Sequence, residues 1–79
     1  SSSSAITPGS WIADYSARAN ALRRRALQQA DMKVFLCDKS KFLKPGAYML
    51  MPLCEADHII TNAQLPDELN TGAARVTIV

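Results

Sequence analysis

The segment VFLCDKSKF, residues 34–42, decides the fold because an apolar run leads directly into a charged turn. Its first four residues predict a short strand covered on both faces, as in a parallel sheet. Ligands of open α/β sheets bind just beyond the carboxyl ends of such strands. Asp38, Ser40 and Lys41 follow the run at that position. The segment therefore predicts a site for an anion or a polyol.

Three apolar or β-branched runs, residues 33–37, 58–61 and 75–79, predict the strands of a sheet. Strong helix formers over residues 16–30 predict a helix, and the acidic start of residues 66–72 predicts a second, shorter one. Strands that alternate with helices are typical of α/β domains with a parallel sheet. The predicted fold is therefore α/β, a partial parallel sheet in the order α-β-β-α-β.

The first predicted helix has an N-cap candidate, Ser16, and an apolar face that includes Leu22 and Ala26. The run Arg23–Arg25 falls mostly on the other face. Arginine side chains match the geometry of phosphate, so this run is also a candidate for binding phosphate or DNA. Consecutive helical residues point about 100° apart, however, so the three cannot reach one ligand together. A solvated face is the favoured interpretation.

Residues 1–10 are rich in Ser, Thr, Pro and Gly and predict a loop, either a flexible linker or an expression remnant. Residues 11–79 then form the domain. Residues 47–53 are apolar but contain Pro52, which indicates a short strand or an extended segment. Residues 52–56 predict one helical turn that begins at this proline.

The composition excludes several classes of protein. A net charge of +2 is too small to indicate binding to nucleic acid or to a membrane surface. No apolar run reaches the roughly 18 residues of a membrane span. Two cysteines make no disulfide framework, so a cytoplasmic location is expected. His58 and two cysteines without C-x-x-C spacing predict neither a metal site nor a Cys-His catalytic pair, and we expect no cofactor.

A three-stranded parallel sheet with two helices leaves a face or an edge poorly covered. Parallel sheets are normally buried on both faces. The predicted elements therefore indicate part of a larger domain, or a chain that completes its core with another chain. A homo-oligomer is expected.

The run DKSKFLKPGAYMLMPLCEADHIITNAQLPDEL, residues 38–69, resembles the effector-sensing domain of DeoR-type bacterial transcriptional repressors. Those repressors carry a D-x-S-K-F turn, a P-L pair, an acidic E-A-D or I-D, an I-I-T-D motif and a P-x-E-L helix. Their D-Y-S and K-R-A-M motifs resemble residues 14–16 and 24–27 here. The order and spacing of these short motifs carry the resemblance, which covers residues 12–79.

The resemblance implies a fold related to ribose-5-phosphate isomerase and the CoA transferases. It also implies binding of a phosphorylated sugar that releases a repressor from its operator. Such repressors read DNA through an N-terminal winged helix-turn-helix domain, and nothing in this chain resembles that domain or the D-x-G-T-T phosphate loop of the sensor. Residues 11–79 are therefore expected to be the C-terminal half of a sugar-phosphate-sensing domain.

Three residues depart from the pattern of that family. Leu43 stands where Gly is common, and Asn62 stands where Asp is usual. The related isomerases carry a catalytic Glu on the helix, at the position that falls at Arg23. A permanently protonated guanidinium cannot act as the general base of an isomerisation, so binding without turnover is expected. The alternatives are an isomerase-like enzyme and an oligomerisation half-domain without a ligand.

Four residues are the predicted ligand-binding set. Lys41 either holds a phosphate as a point charge or is a solvated loop residue. Asp38 either accepts hydrogen bonds from sugar hydroxyls or caps its turn. Ser40 is favoured as a turn residue, and Tyr15 either covers the pocket or packs against the helix.

Overall fold

Two three-stranded sheets and one α-helix make up residues 4–79, the part of the chain that the computed structural model describes. A short 3₁₀ turn, Lys39–Lys41, follows the third strand, and a second, Leu53–Glu55, follows the fourth. The remaining elements, in chain order, are β1 (Ser4–Ile6), β2 (Trp11–Asp14), α1 (Ala17–Gln29), β3 (Val34–Cys37), β4 (Tyr48–Pro52), β5 (His58–Thr61) and β6 (Arg75–Ile78).

The parallel sheet has the strand order β3-β5-β6. Val34 is the partner of His58 in the first pair, and His58 is the partner of Arg75 in the second. All three strands that the sequence predicts are therefore present and lie in one parallel sheet. The expectation of an α/β domain with a parallel sheet is confirmed at this level.

One face of the parallel sheet is open to solvent, which corrects the expectation that β3 is covered on both faces. Val34 is 49% exposed and Leu36 is 71% exposed, while Cys37 is buried. Side chains alternate along a strand, so only every second residue reaches the core. The sequence also predicted that one face or edge of the parallel sheet is poorly covered, and this exposed face agrees with that prediction.

An antiparallel sheet of order β1-β2-β4 packs beside the parallel one, and the sequence did not predict it. Ser4 pairs with Asp14, and Ile6 pairs with Ile12. The loop predicted for residues 1–10 is wrong at Ser4–Ile6, which is a buried strand. Three residues flanked by Ser, Thr and Pro are too few to show a strand pattern in the sequence. The strand is stabilised by its pairing with β2, which the local sequence does not reveal. The part of the predicted linker at residues 1–3 lies outside the described residues.

The predicted helix is confirmed, and so is its N-cap: the Ser16 hydroxyl accepts a hydrogen bond from the Ala19 amide at 3.2 Å. Its predicted packing face is wrong. Leu22 is 68% exposed, while Asn20 is the buried residue of the helix. The helix lies against β2 and β4 and makes polar contacts there, so its packed face does not follow the apolar pattern.

The second predicted helix, residues 66–72, is wrong. The Leu69 amide donates to the Pro66 carbonyl at 3.1 Å, which closes a single turn. Gly72 then adopts a φ of +57°, so the chain turns away. Within the described residues the order is β-β-α-β-β-β-β, and the predicted order α-β-β-α-β is corrected accordingly. The strand interpretation of residues 47–53 and the predicted turn after Pro52 are both observed.

Both sheets contribute to one hydrophobic core. Its fully buried side chains include Ile6 and Ile12 from the antiparallel sheet and Ile59 from the parallel sheet. A parallel bridge from Ile6 to Phe42 links β1 to the turn that follows β3. The turn is thereby fixed beside Ser4 and the ends of the parallel strands. Among residues 4–79, the structure has no helix with the length and apolar character that a membrane span requires.

Gly46 allows its segment to approach β2 closely, and its replacement by alanine is expected to destabilise the domain. A Cβ at this position would lie 2.4 Å from the Cβ of the buried Ala13. Overpacking of this kind costs about 1–3 kcal/mol. Urea unfolding measures the loss. The matched control is Gly9→Ala, where the nearest atom is 3.8 Å away, and a change below about 0.5 kcal/mol is expected. Equal unfolding midpoints for the two variants would contradict the close approach.

Candidate functional site

A cavity of about 460 Å³ lies at the carboxyl ends of the parallel strands. Cys37 and Asp38 border it where β3 ends, and Thr61 and Asn62 border it where β5 ends. The remaining described residues around it are Ser4, Leu36, Lys41, Ile60 and Val79. The cavity therefore lies at the position that the rule for open α/β sheets predicts.

The turn after β3 is closed by one short hydrogen bond of its own and held to the end of β5 by a second. The Asp38 carboxylate accepts a hydrogen bond from the Ser40 amide at 2.8 Å, which caps the turn. The side-chain oxygen of Asn62 accepts one from the Lys39 amide, also at 2.8 Å. Polar side chains from two neighbouring strand ends are thereby fixed beside the cavity.

Asp38 is an ionised carboxylate at neutral pH. The backbone amide of Ser40 lowers its pKa most, and the Ser40 hydroxyl, the Asn62 side chain and the charge of Lys39 lower it further. Each of these contacts favours the charged form. Asp38 therefore offers hydrogen-bond acceptors to a ligand, and it repels an anion.

Lys41 brings a positive charge to the same cavity. Its side chain is half-buried, and Nζ lies 5.5 Å from the centre of the Tyr15 ring. Within residues 4–79 it forms no ion pair. A cation–π contact at a partly exposed site contributes only about 0.5–1 kcal/mol. The ammonium group can therefore be drawn to an anion in the cavity at little cost.

The structure separates the four predicted site residues into two groups. Asp38 and Lys41 border the cavity together. The Ser40 amide donates to Asp38, the residue that caps the turn, and Tyr15 contacts Lys41, but neither Ser40 nor Tyr15 is among the described residues that line the cavity. Ser40 thus supports Asp38, and Tyr15 supports Lys41.

A buried charged cluster that includes Ser4, a residue of the cavity lining, was missed by the sequence interpretation. The Asp14 carboxylate is fully buried, and Arg23 Nη1 lies 3.2 Å from its Oδ1. The Ser4 hydroxyl donates to Oδ1 at 3.1 Å, and the Asn20 amide donates to Oδ2 at 3.3 Å. The expectation of a solvated arginine face is therefore wrong for Arg23.

The sequence held one signal of this cluster. Asn20 and Arg23 lie three residues apart, which places them on the same face of a helix. An amide and a guanidinium on one face indicate a buried polar partner. The partner could not be identified because Asp14 is in a segment that was not predicted as a strand.

The buried thiol of Cys37 is expected to resist alkylation. Burial raises its pKa to about 11, with a further upward contribution from Asp38 and a smaller downward one from Lys41. At pH 8, about one molecule in a thousand then carries the thiolate. Cys54 is exposed and serves as the internal control. Iodoacetamide followed by peptide mass spectrometry should find the label on Cys54 in the folded protein and on both cysteines after denaturation. Equal labelling in the folded state would contradict the burial of Cys37.

No protein-family model matches the chain, and comparisons with curated proteins and with solved structures found no match. The function is therefore inferred from the residues of the site.

Proposed function

We propose that the chain is the effector-binding part of a DeoR-type bacterial transcriptional repressor and that its cavity binds a phosphorylated sugar. The observation that carries this proposal is the position of Lys41. Its ammonium group borders a cavity at the carboxyl ends of parallel strands, beside the ionised Asp38. A cation and a carboxylate in one cavity suit a ligand that has an anionic end and a hydroxylated body.

Each part of the ligand has a matching part of the cavity. The phosphate lies against Lys41, and the sugar hydroxyls donate to Asp38. Leu36 and Ile60 form an apolar wall against which the carbon skeleton of the sugar packs. Ligand sites are commonly apolar with a few polar groups that orient the ligand, and cavities of a few hundred Å³ are typical.

Two departures from the family pattern support the resemblance once their geometry is considered. Leu43 has a φ of +55°, in the left-handed region that favours glycine. Glycine is the residue that the resembled repressors commonly carry there. Asn62 accepts the Lys39 amide hydrogen through its side-chain oxygen, a role that an aspartate also performs.

The proposed site binds without turnover. Arg23 is paired with Asp14 and cannot accept a proton. Asp38 is a weak base because its pKa is lowered, whereas a general base works best with a pKa near the working pH. The alternative, an isomerase-like enzyme, is tested by incubating the protein with pentose and hexose phosphates and following the products by NMR. Appearance of the ketose or aldose isomer at a catalytic rate would overturn binding without turnover.

Regulation follows from the difference in affinity between two states of the repressor. The sugar phosphate would shift the protein toward the state that does not bind the operator, by no more than its differential affinity for the two states. DNA would be bound by a separate helix-turn-helix domain.

The proposal is tested by calorimetric titration of the protein with ribose 5-phosphate, fructose 6-phosphate, the parent sugars and inorganic phosphate. We expect at least one phosphate ester to bind and its parent sugar to bind at least tenfold more weakly. Equal affinity for ester and parent sugar, or no binding of any ester, would overturn it.

A second candidate function is oligomerisation through the open face of the parallel sheet. Val34 and Leu36 are exposed on β3, which is an edge strand. Soluble monomers rarely expose large contiguous apolar patches. A second copy of the chain is the expected occupant of this face.

Val34→Lys is therefore expected to weaken self-association. Val34 lies on the open face and does not line the strand-end cavity, so ligand binding should be retained. Analytical ultracentrifugation over a range of concentrations measures the change, with Arg25→Lys on the exposed side of the helix as the control. A wild-type protein that is monomeric at all concentrations would exclude this function.

A further inference from the structure

We infer that the cavity selects sugars with a single phosphate and rejects sugar bisphosphates, and that Asp38 sets this preference. The inference rests on the proposed function, because it specifies the class of ligand that the same cavity binds. It follows from the charges around the cavity and from the hydrogen bonds that its donor groups already make.

The first step concerns charge. Among the described residues that line the cavity, Lys41 is the only cation and Asp38 the only anion. Arg23 is not among these lining residues, and its Nη1 is engaged by the Asp14 carboxylate and the Ser4 hydroxyl. One ammonium group is available to one phosphate. A second phosphate would meet either Asp38 or the neutral part of the lining.

The second step concerns the backbone of the turn. An anion can bind to free amide groups of a turn. Here the amides of Lys39 and Ser40 donate to Asn62 and to the Asp38 side chain. The amides of Lys41 and Phe42 donate to the carbonyls of Asp38 and Lys39. The backbone amides of residues 39–42 are therefore all engaged and offer no donor to a second phosphate.

The third step concerns the hydroxyl groups of the lining. Ser4 donates its proton to Asp14 at 3.1 Å. Thr61 donates its proton to the Ala63 carbonyl at 3.1 Å. Each oxygen also accepts one hydrogen bond, Ser4 from Arg23 Nη1 and Thr61 from the Ala63 amide, so each keeps one lone pair that can accept from a sugar hydroxyl. A phosphate dianion needs donors, which neither hydroxyl has left. These groups therefore suit the hydroxylated body of the ligand rather than a second anion.

The last step concerns the two remaining directions. Toward the apolar wall, at Leu36, Ile60 and Val79, a second phosphate would lose water without gaining a partner. Toward Asp38 it would approach a carboxylate whose charge is fixed by hydrogen bonds to the turn. Like charges at contact distance oppose binding. Neither direction accepts a second phosphate.

The test compares two pairs of ligands by calorimetry: fructose 6-phosphate with fructose 1,6-bisphosphate, and ribulose 5-phosphate with ribulose 1,5-bisphosphate. In the wild type, we expect the monophosphate of at least one pair to bind at least tenfold more tightly than the bisphosphate. In Asp38→Asn, we expect the ratio to fall to about threefold or less. Asparagine retains the oxygen that caps the turn, so the fold should be kept.

Asp67→Asn is the matched control, since it removes the same charge from an exposed turn outside the cavity. Its ratio should equal that of the wild type. A bisphosphate that binds the wild type as tightly as the monophosphate would overturn the inference and leave the sugar-phosphate site standing. An unchanged ratio in Asp38→Asn would overturn the role of Asp38. If neither member of either pair binds, the inference fails, and if ribose 5-phosphate does not bind either, the proposed function fails with it.

Discussion

Lys41→Ala is expected to weaken the binding of sugar phosphates strongly while it leaves the fold intact. A hydrogen bond to a charged group is worth about 1.5–3 kcal/mol, which corresponds to a loss of roughly 10- to 150-fold in affinity. Since Lys41 is the one cation among the described residues of the cavity, no other lining side chain can replace it. Calorimetry of the variant with the tightest phosphate ester measures the loss.

The control for this variant is Lys44→Ala. Lys44 lies three residues along the same loop, is exposed and does not line the cavity. Its backbone amide donates to the Ile6 carbonyl, a hydrogen bond that the substitution leaves in place. Both variants should show wild-type circular dichroism. Unchanged affinity in Lys41→Ala would show that Lys41 does not contact the ligand. An equal loss of affinity in Lys44→Ala would show that the loss comes from the total charge of the loop and not from the position of Lys41.

Arg23→Met is expected to destabilise the domain by about 3 kcal/mol or more, because it leaves a buried carboxylate without its cation. Asp14 is fully buried and Arg23 is 23% exposed, so little water can replace the guanidinium. A 79-residue chain has a total stability of roughly 4–12 kcal/mol. The variant should therefore lose about a quarter or more of the stability of the domain, which urea or thermal unfolding would detect.

Two further variants separate this effect from the loss of packing. Arg25→Met makes the same substitution at an exposed position of the same helix and should change stability by less than about 0.5 kcal/mol. The double variant Asp14→Asn/Arg23→Met removes the uncompensated charge, so it should be more stable than Arg23→Met alone. A double variant that is less stable than both single variants would contradict a charge-based origin.

The parallel half of the fold could be predicted from the sequence because its information is local. Residues 34–37, 58–61 and 75–78 are short apolar or β-branched runs, and each forms a strand. The antiparallel half could not be predicted in the same way. Ser4–Ile6 is a strand because it pairs with β2, in which Asp14 is the partner of Ser4. Three residues are too few to show the alternating pattern by which a strand is recognised in a sequence.

The residues of the candidate site likewise differ in whether local sequence could identify them. Asp38 and Lys41 were identifiable because they directly follow a predicted strand, and the position of ligands at strand ends is a general property of such sheets. Asp14 and Arg23 were not, because their contact joins a strand to a helix whose relative placement the sequence pattern does not define. The open face of β3 was misjudged because an apolar run does not reveal which element covers it.

The most direct test of the proposed phosphate site is a ¹H–¹⁵N chemical-shift titration of the protein with the sugar phosphate that binds most tightly. We expect the largest amide shifts in residues 38–42 and at Asn62, where the turn meets the end of β5, and little change at Arg24 and Arg25. Shifts centred on the arginines of the helix, or no localised shifts at saturating ligand, would contradict a phosphate site at the ends of the parallel strands.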